Sequence, residues 1–151
     1  SALPFSRTST YNPCGRFGGA MKHQMTGNAG LFHIAWELTR RGWNVMPTVR
    51  NARGADLYAA PVDDEEAVIP IQSKALSKRA AVPLGTDLDR LRSRWWIITL
   101  GANSDDPVCF VLTLDEVKAL ATQDKGGARA YWLEAKHYDV PEFREAWHRL
   151  A

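Results

Sequence analysis

Apolar and polar positions change rhythm several times along the chain, and each change marks an element. In "NAGLFHIAWELTRRG", Leu31, Ile34, Ala35 and Leu38 fall at i, i+3, i+4 and i+7, the spacing of one helical stripe. Asn28 suits an N-cap and Gly42 a C′ position, so the spacing predicts a helix from Asn28 to Arg41. "WNVMPTV" then reads as a strand, with Pro47 marking an edge or a bend. "ADLYAA" and "AVIPIQSK" are two more strands, and the acidic turn "PVDDEE" joins them into a hairpin. "RAAVPLGT" reads as a loop and "DLDRLRS" as a short helix. The apolar runs "WWIITL" and "VCFVLT" predict buried strands on either side of the turn "GANSDDP". Thr113 and Glu116 match a capping box for a helix from Leu114 to about Thr122. "YWLEAK" suggests a last short strand. A closing helix is expected from Pro141, with Phe143, Ala146, Trp147 and Leu150 on its inner face.

The predicted order is helix, three-strand meander, helix, strand, strand, helix, which is an α/β sandwich around a mixed sheet. Residues 1–25 have neither periodicity and are rich in Ser, Thr, Gly and Pro. They are expected to be a flexible extension, with Met21 a candidate start, before a single domain over 26–151.

Composition adds limits. With 45% hydrophobic and 24% charged residues the chain is an ordinary globular one, and a net charge of +2 is too small to name a partner. Cys14 and Cys109 make no CxxC, and Cys109 sits inside "VCFVL", so a buried free thiol in a reducing compartment is expected. No apolar run approaches the roughly 20 residues a membrane span needs, and no leader pattern opens the chain. A cytoplasmic protein without a membrane partner is the expectation.

The candidate chemistry lies on the hairpin. Residues two apart on a strand share a face, so Gln72 and Lys74 point one way while Ile69, Ile71 and Ser73 point the other. On the partner strand Asp56 shares a face with Tyr58, so Asp56, Gln72 and Lys74 can meet on one side of the sheet. Gly54 leaves room for something to approach the backbone. That set suits phosphodiester hydrolysis. Asp56 offers a carboxylate oxygen to Mg²⁺ (or Mn²⁺), the Gln72 amide a neutral oxygen, and the Ser73 backbone carbonyl a third. Lys74 is placed to orient and help deprotonate water or to neutralise the scissile phosphate. An acid, an amide and an amine on a solvated hairpin face are also routine in themselves.

"GAD", a hairpin and "IPIQSK" resemble the PD-(D/E)XK nuclease superfamily over residues 27 to about 113, in the Gln-variant subset that includes Mrr-like enzymes and Holliday-junction resolvases. The C-terminal "YWLEAKHYDVPEFREAW" is similar to the ends of small bacterial proteins of this type. The resemblance implies a restriction-endonuclease-like αβββαβ core, a mixed central sheet flanked by helices, and metal-dependent endonuclease activity on DNA in restriction, repair or defence. Asp56 falls on the metal-binding Asp, Gln72 on the acid or amide position, and Lys74 on the catalytic lysine. Gln72 removes one negative charge, which makes Glu37 on the first helix a candidate further metal ligand. The same feature fits the alternative, a catalytically decayed nuclease fold acting as a DNA-binding or assembly module. Small nucleases of this fold often pair to cut both strands, so a homodimer is one implied partner, and a separately encoded motor or specificity subunit is another.

Charge distribution adds candidate DNA contacts. Arg40, Arg41, Arg50 and Arg53 occur with no acid between Leu38 and Ala55, and Lys74, Lys78 and Arg79 with none between Ala67 and Gly85. Such segregation predicts a positive face beside the hairpin. Arg50, Asn51, Arg53, Lys78 and Arg79 are the expected phosphate contacts. His33 and Glu37, four apart, read as a surface or half-buried hydrogen-bonded pair before a metal site. Trp95 and Trp96 are expected to point to opposite faces of their strand.

Overall fold

The computed structural model describes residues 19–49 and 54–151. Helix α1 (Gly19–Thr39) leads into strands β1 (Trp43–Pro47), β2 (Leu57–Pro61) and β3 (Ile69–Leu76). A crossover follows, holding strand β4 (Val82–Gly85) and a single 3₁₀ turn at Leu88–Arg90. Strands β5 (Trp95–Leu100) and β6 (Val108–Thr113), helix α2 (Leu114–Leu120), strands β7 (Thr122–Gln123) and β8 (Tyr131–Leu133) and helix α3 (Ala135–Tyr138) complete the order, before a 3₁₀ turn at Trp147–Arg149.

The main sheet has the order β1-β2-β3-β5-β6, with β3 and β5 parallel and every other pair antiparallel. This is the mixed sheet expected. Trp95 and Trp96 do part company: Trp95 joins the core under α1, and Trp96 the core on the other face. On the α1 side, Ile34 and Leu38 meet Leu57, Ile71, Ile97 and Val111. The opposite face is covered by β4, α2, β8 and α3 through Val82, Val117, Leu133 and Tyr138. Each of these side chains is fully buried, and a buried Leu or Ile contributes about 1.5–3 kcal/mol. Pro47 ends an edge strand, and Pro70 precedes the first β3–β5 pair at Ile71, so neither proline interrupts that ladder.

Four expectations need correction. The first helix begins at Gly19, so residues 19–25 belong to α1 and Asn28 is an exposed mid-helix residue rather than its cap. Residues 1–18 lie outside the described residues. "RAAVPLGT" contains β4, which pairs with β8, while β8 pairs with β7 in a second, three-stranded sheet. "DLDRLRS" forms only one 3₁₀ turn, capped by Asp87. The closing segment is no helix: Glu145 sits at φ +48°, the Glu145 N–H donates to the Cys109 carbonyl (2.7 Å) and the Val111 N–H to Phe143 (2.9 Å). Its backbone is thus engaged with β6. Phe143, Ala146, Trp147 and Leu150 are nonetheless buried, as expected.

The capping box of α2 is present. The Glu116 carboxylate accepts from the Thr113 N–H and from Arg149 (both 2.8 Å). Burial works against its charge, but these donors outweigh it and hold the carboxyl below its ordinary value. None of the described helices is long and apolar enough to cross a membrane.

Candidate active site

Register places the hairpin residues. Leu57 pairs with Ile71 and Tyr58 with Pro70; one step back, Asp56 comes opposite Gln72. Leu57 and Ile71 are buried toward α1, so alternation turns Asp56, Gln72 and Lys74 to the other face. The hydrogen bonds agree. Asp56 Oδ2 accepts from Gln72 Nε2 (2.6 Å) and from the Ser73 N–H (2.8 Å). The Asp56 N–H donates to the Ile71 carbonyl, and the Thr48 N–H to the Asp56 carbonyl, both at 2.9 Å. The carboxylate is held at both its backbone and its side chain.

Lys74 is half-buried two residues further on. Parallel pairing sets Gln72 beside Trp96 and Lys74 beside Ile98, and Lys74 Nζ lies 5.6 Å from the centroid of the Trp96 ring. Burial pushes the Lys74 ammonium below its usual pKa, and the Asp56 carboxylate pulls part of the way back. Gln72, Lys74 and Trp96 line a cleft of about 620 Å³ whose other walls are Gly54 and the loop residues Arg90, Leu91 and Arg92. Asp56 is tied to that cleft through Gln72.

The donor set fits a hard divalent cation held with few protein ligands. Asp56 Oδ1 accepts no hydrogen bond among the described residues, and the Gln72 amide keeps its oxygen while its nitrogen braces Asp56. Among the described residues no three His, Cys, Asp or Glu side chains gather. Mg²⁺ commonly binds through one or two carboxylates with waters and substrate phosphate completing its shell, and a single Asp matches that mode.

Other predicted residues are not brought here. Glu37 lies on α1, across the sheet, where Arg41 and Arg40 hold it and His33 is 3.8 Å away. It is engaged there rather than beside Asp56, and the His33–Glu37 pair is a half-buried contact along the helix. Lys78 and Arg79 follow the end of β3 and do not line the cleft. Lys78 is exposed, and Arg79 Nε donates to Asp139 (2.8 Å). Arg50, Asn51 and Arg53 lie outside the described residues. In their place the cleft carries Arg90 and Arg92, which are not among the expected contacts. The signal that would find them is the run "RLRSR" (Arg90, Arg92 and Arg94), acid-free as far as Asp105, which directly follows Asp87 and Asp89.

No protein-family model matches the chain, and no curated protein matches it in sequence. A solved structure of a bacterial homing endonuclease, I-Ssp6803I, is similar in fold. The TM-score is 0.52 at 14% sequence identity, over 83% of this chain and 90% of that one. At that identity the likeness speaks to fold: a mixed sheet flanked by helices, of endonuclease-like type.

Proposed function

We propose that the chain is a metal-dependent endonuclease of the PD-(D/E)XK type, in its Gln variant, hydrolysing phosphodiester bonds in DNA. The observation that carries this reading is the joined trio: Asp56 braced by Gln72 and the Ser73 amide, with half-buried Lys74 on the same face of the cleft. Asp56, the Gln72 amide oxygen and the Ser73 carbonyl would hold Mg²⁺ or Mn²⁺. When bound, the cation supplies Lewis-acid activation of water and of the phosphate. Lys74 orients the attacking water and offers positive charge to the scissile phosphate. Its lowered pKa makes proton exchange with that water easier than for a solvated lysine. The fold likeness to a homing endonuclease supports the reading at the level of architecture. Bacterial restriction, repair or defence is the setting proposed, with a homodimer or a separate motor or specificity subunit as the partner in cutting both strands.

One observation favours a second reading. Asp56 Oδ2 is fully engaged by Gln72 and Ser73, and among the described residues no cluster of acids surrounds it, which suits a fold that binds DNA or assembles without cutting. A plasmid-nicking assay separates the two. With Mg²⁺ or Mn²⁺ the native chain nicks, chelator stops it, and Lys74→Ala loses roughly 100-fold or more of the rate. DNA binding without nicking, the same in Lys74→Ala, would establish the module instead.

A further inference from the structure

We propose that Arg90 and Arg92 are the phosphate-gripping wall of the cleft and lay a nucleic-acid backbone across Lys74. The inference rests on the hydrolase reading and assigns it a substrate-holding element. Among the described side chains lining the cleft three are cations (Lys74, Arg90, Arg92) and none is an acid, the balance a polyanion needs. Asp87 and Asp89 share the loop but not the cleft wall. Asp87 is occupied in capping the turn, where Oδ1 accepts the Asp89 N–H (2.9 Å).

Both arginines have donors to give. Arg90 is 87% exposed and its one ion contact among the described residues, to Asp87, is 3.7 Å long, a pair of the kind that holds an arginine weakly. Arg92 uses Nη1 on the Asp89 and Leu91 carbonyls. Its Nε and Nη2 have no partner among the described residues. Arginine's planar fork suits phosphate oxygens better than a lysine would.

What lifts the pair above ordinary surface charge is that its loop is bolted to the site at three points. The Arg92 stem lies on Gly54, where a Cβ would come 2.7 Å from Arg92 Cβ and where φ is +90°; only glycine suits both demands. The Ser93 hydroxyl donates to the Gly54 carbonyl, with Ser93 itself at φ +71°. The Trp96 indole N–H donates to the Arg92 carbonyl (2.9 Å) while its ring faces the Lys74 ammonium. Gly54 is two residues before Asp56, so the arginines are positioned against both Asp56 and Lys74.

The test uses the full chain, with Ca²⁺ replacing Mg²⁺ for binding and Mg²⁺ restored for cutting. Duplex DNA binding is followed by fluorescence anisotropy across a salt series. Removing one phosphate-neutralising side chain lowers the slope of log affinity against log salt by about 0.9. Arg90→Gln with Arg92→Gln should therefore flatten it by about 1.8 and weaken several sequences equally. Cutting should fall in kcat/KM and recover at saturating DNA. Arg90→Gln alone should remove about 0.9 of the slope; it keeps the test sound should the Arg92 change loosen the loop. Lysine at both positions should retain most of the slope. An unaltered slope in the double variant, with the native chain binding and cutting, overturns the proposal and leaves the hydrolase reading standing. A native chain that neither binds nor cuts removes both. Competition by a mononucleotide as strong, per phosphate, as by duplex would also overturn it, since it would mark a small-phosphate pocket.

Discussion

The Asp56 carboxylate helps to hold the charge on Lys74. Among the described residues the carboxylate is the one group that raises the Lys74 pKa against its burial, so Asp56→Asn should lower that pKa further. A side-chain NMR titration of the Lys74 ε-methylene reads this directly, and a rise in the Asn variant would contradict the arrangement. At this scale the sequence is informative where a short rule applies. Period-two alternation brings Asp56, Gln72 and Lys74 to one face across the hairpin turn because each strand is regular there. Glu37 shows the limit of the same reasoning. Its chemistry is suitable, but the face of the sheet on which α1 packs is decided by Ile34 and Leu38 meeting Leu57 and Ile71, a tertiary fact. Arg90 and Arg92 are hidden differently: their run "RLRSR" directly follows Asp87 and Asp89, and only the fold shows that those acids stand clear of the cleft wall.

Among the elements, α1 against β3 is a tight fit. A Cβ on Gly30 would lie 2.4 Å from the Ala75 Cβ. Glycine inside a helix ordinarily costs about 1 kcal/mol against alanine, so Gly30→Ala should stabilise if the helix stood alone. Overpacking of a close interface costs about 1–3 kcal/mol and wins here. Gly30→Ala should lower the urea midpoint, and adding Ala75→Gly should restore much of it; a stabilised single variant would disprove the close approach. Because Ala75 follows Lys74, the single variant should also shift the lysine's environment. Elements with long apolar runs or strong caps, such as β5, β6 and α2, are legible in the sequence. The three-stranded sheet is legible only in part. "YWLEAK" holds β8 as expected, but β4 and β7, four and two residues long, are too short to show a period and depend on β8 for their pairing. The closing segment carries the right apolar spacing but divides its backbone hydrogen bonds between local turns and β6, so its burial can be foreseen and its conformation cannot.

For the molecule as a whole, the two cores share one sheet and one C-terminal strap. Phe143 enters the core facing the small sheet, while Ala146, Trp147 and Leu150 enter the core under α1. Cys109 lies fully buried on the α1 side. Burial, reinforced by the Glu145 and Glu37 carboxylates and opposed by the Thr99 hydroxyl and Arg41, pushes its thiol from 9.0 up to about 12. The unfolded chain therefore releases the thiol proton from about pH 9 while the folded one keeps it. Native stability should fall as pH rises above that value, by up to about 1.4 kcal/mol per unit. Urea midpoints of the native chain and Cys109→Ala, compared from about pH 7.5 upward, isolate this effect because Lys74 is common to both. A difference that stays constant with pH would show that the thiol is not sealed.

The crossover between the parallel strands has a consequence for synthesis on the ribosome. Asp56, Gln72 and Lys74 emerge early and can pair as a local hairpin. Trp96 and the arginine loop arrive only with the crossover, and the strap that closes both faces comes later still. Long-range pairing of this kind waits for loop closure. A nascent chain thus bears the acid, amide and amine before the opposite wall of the cleft exists, and on the proposed reading it gains hydrolytic competence only once the crossover has closed.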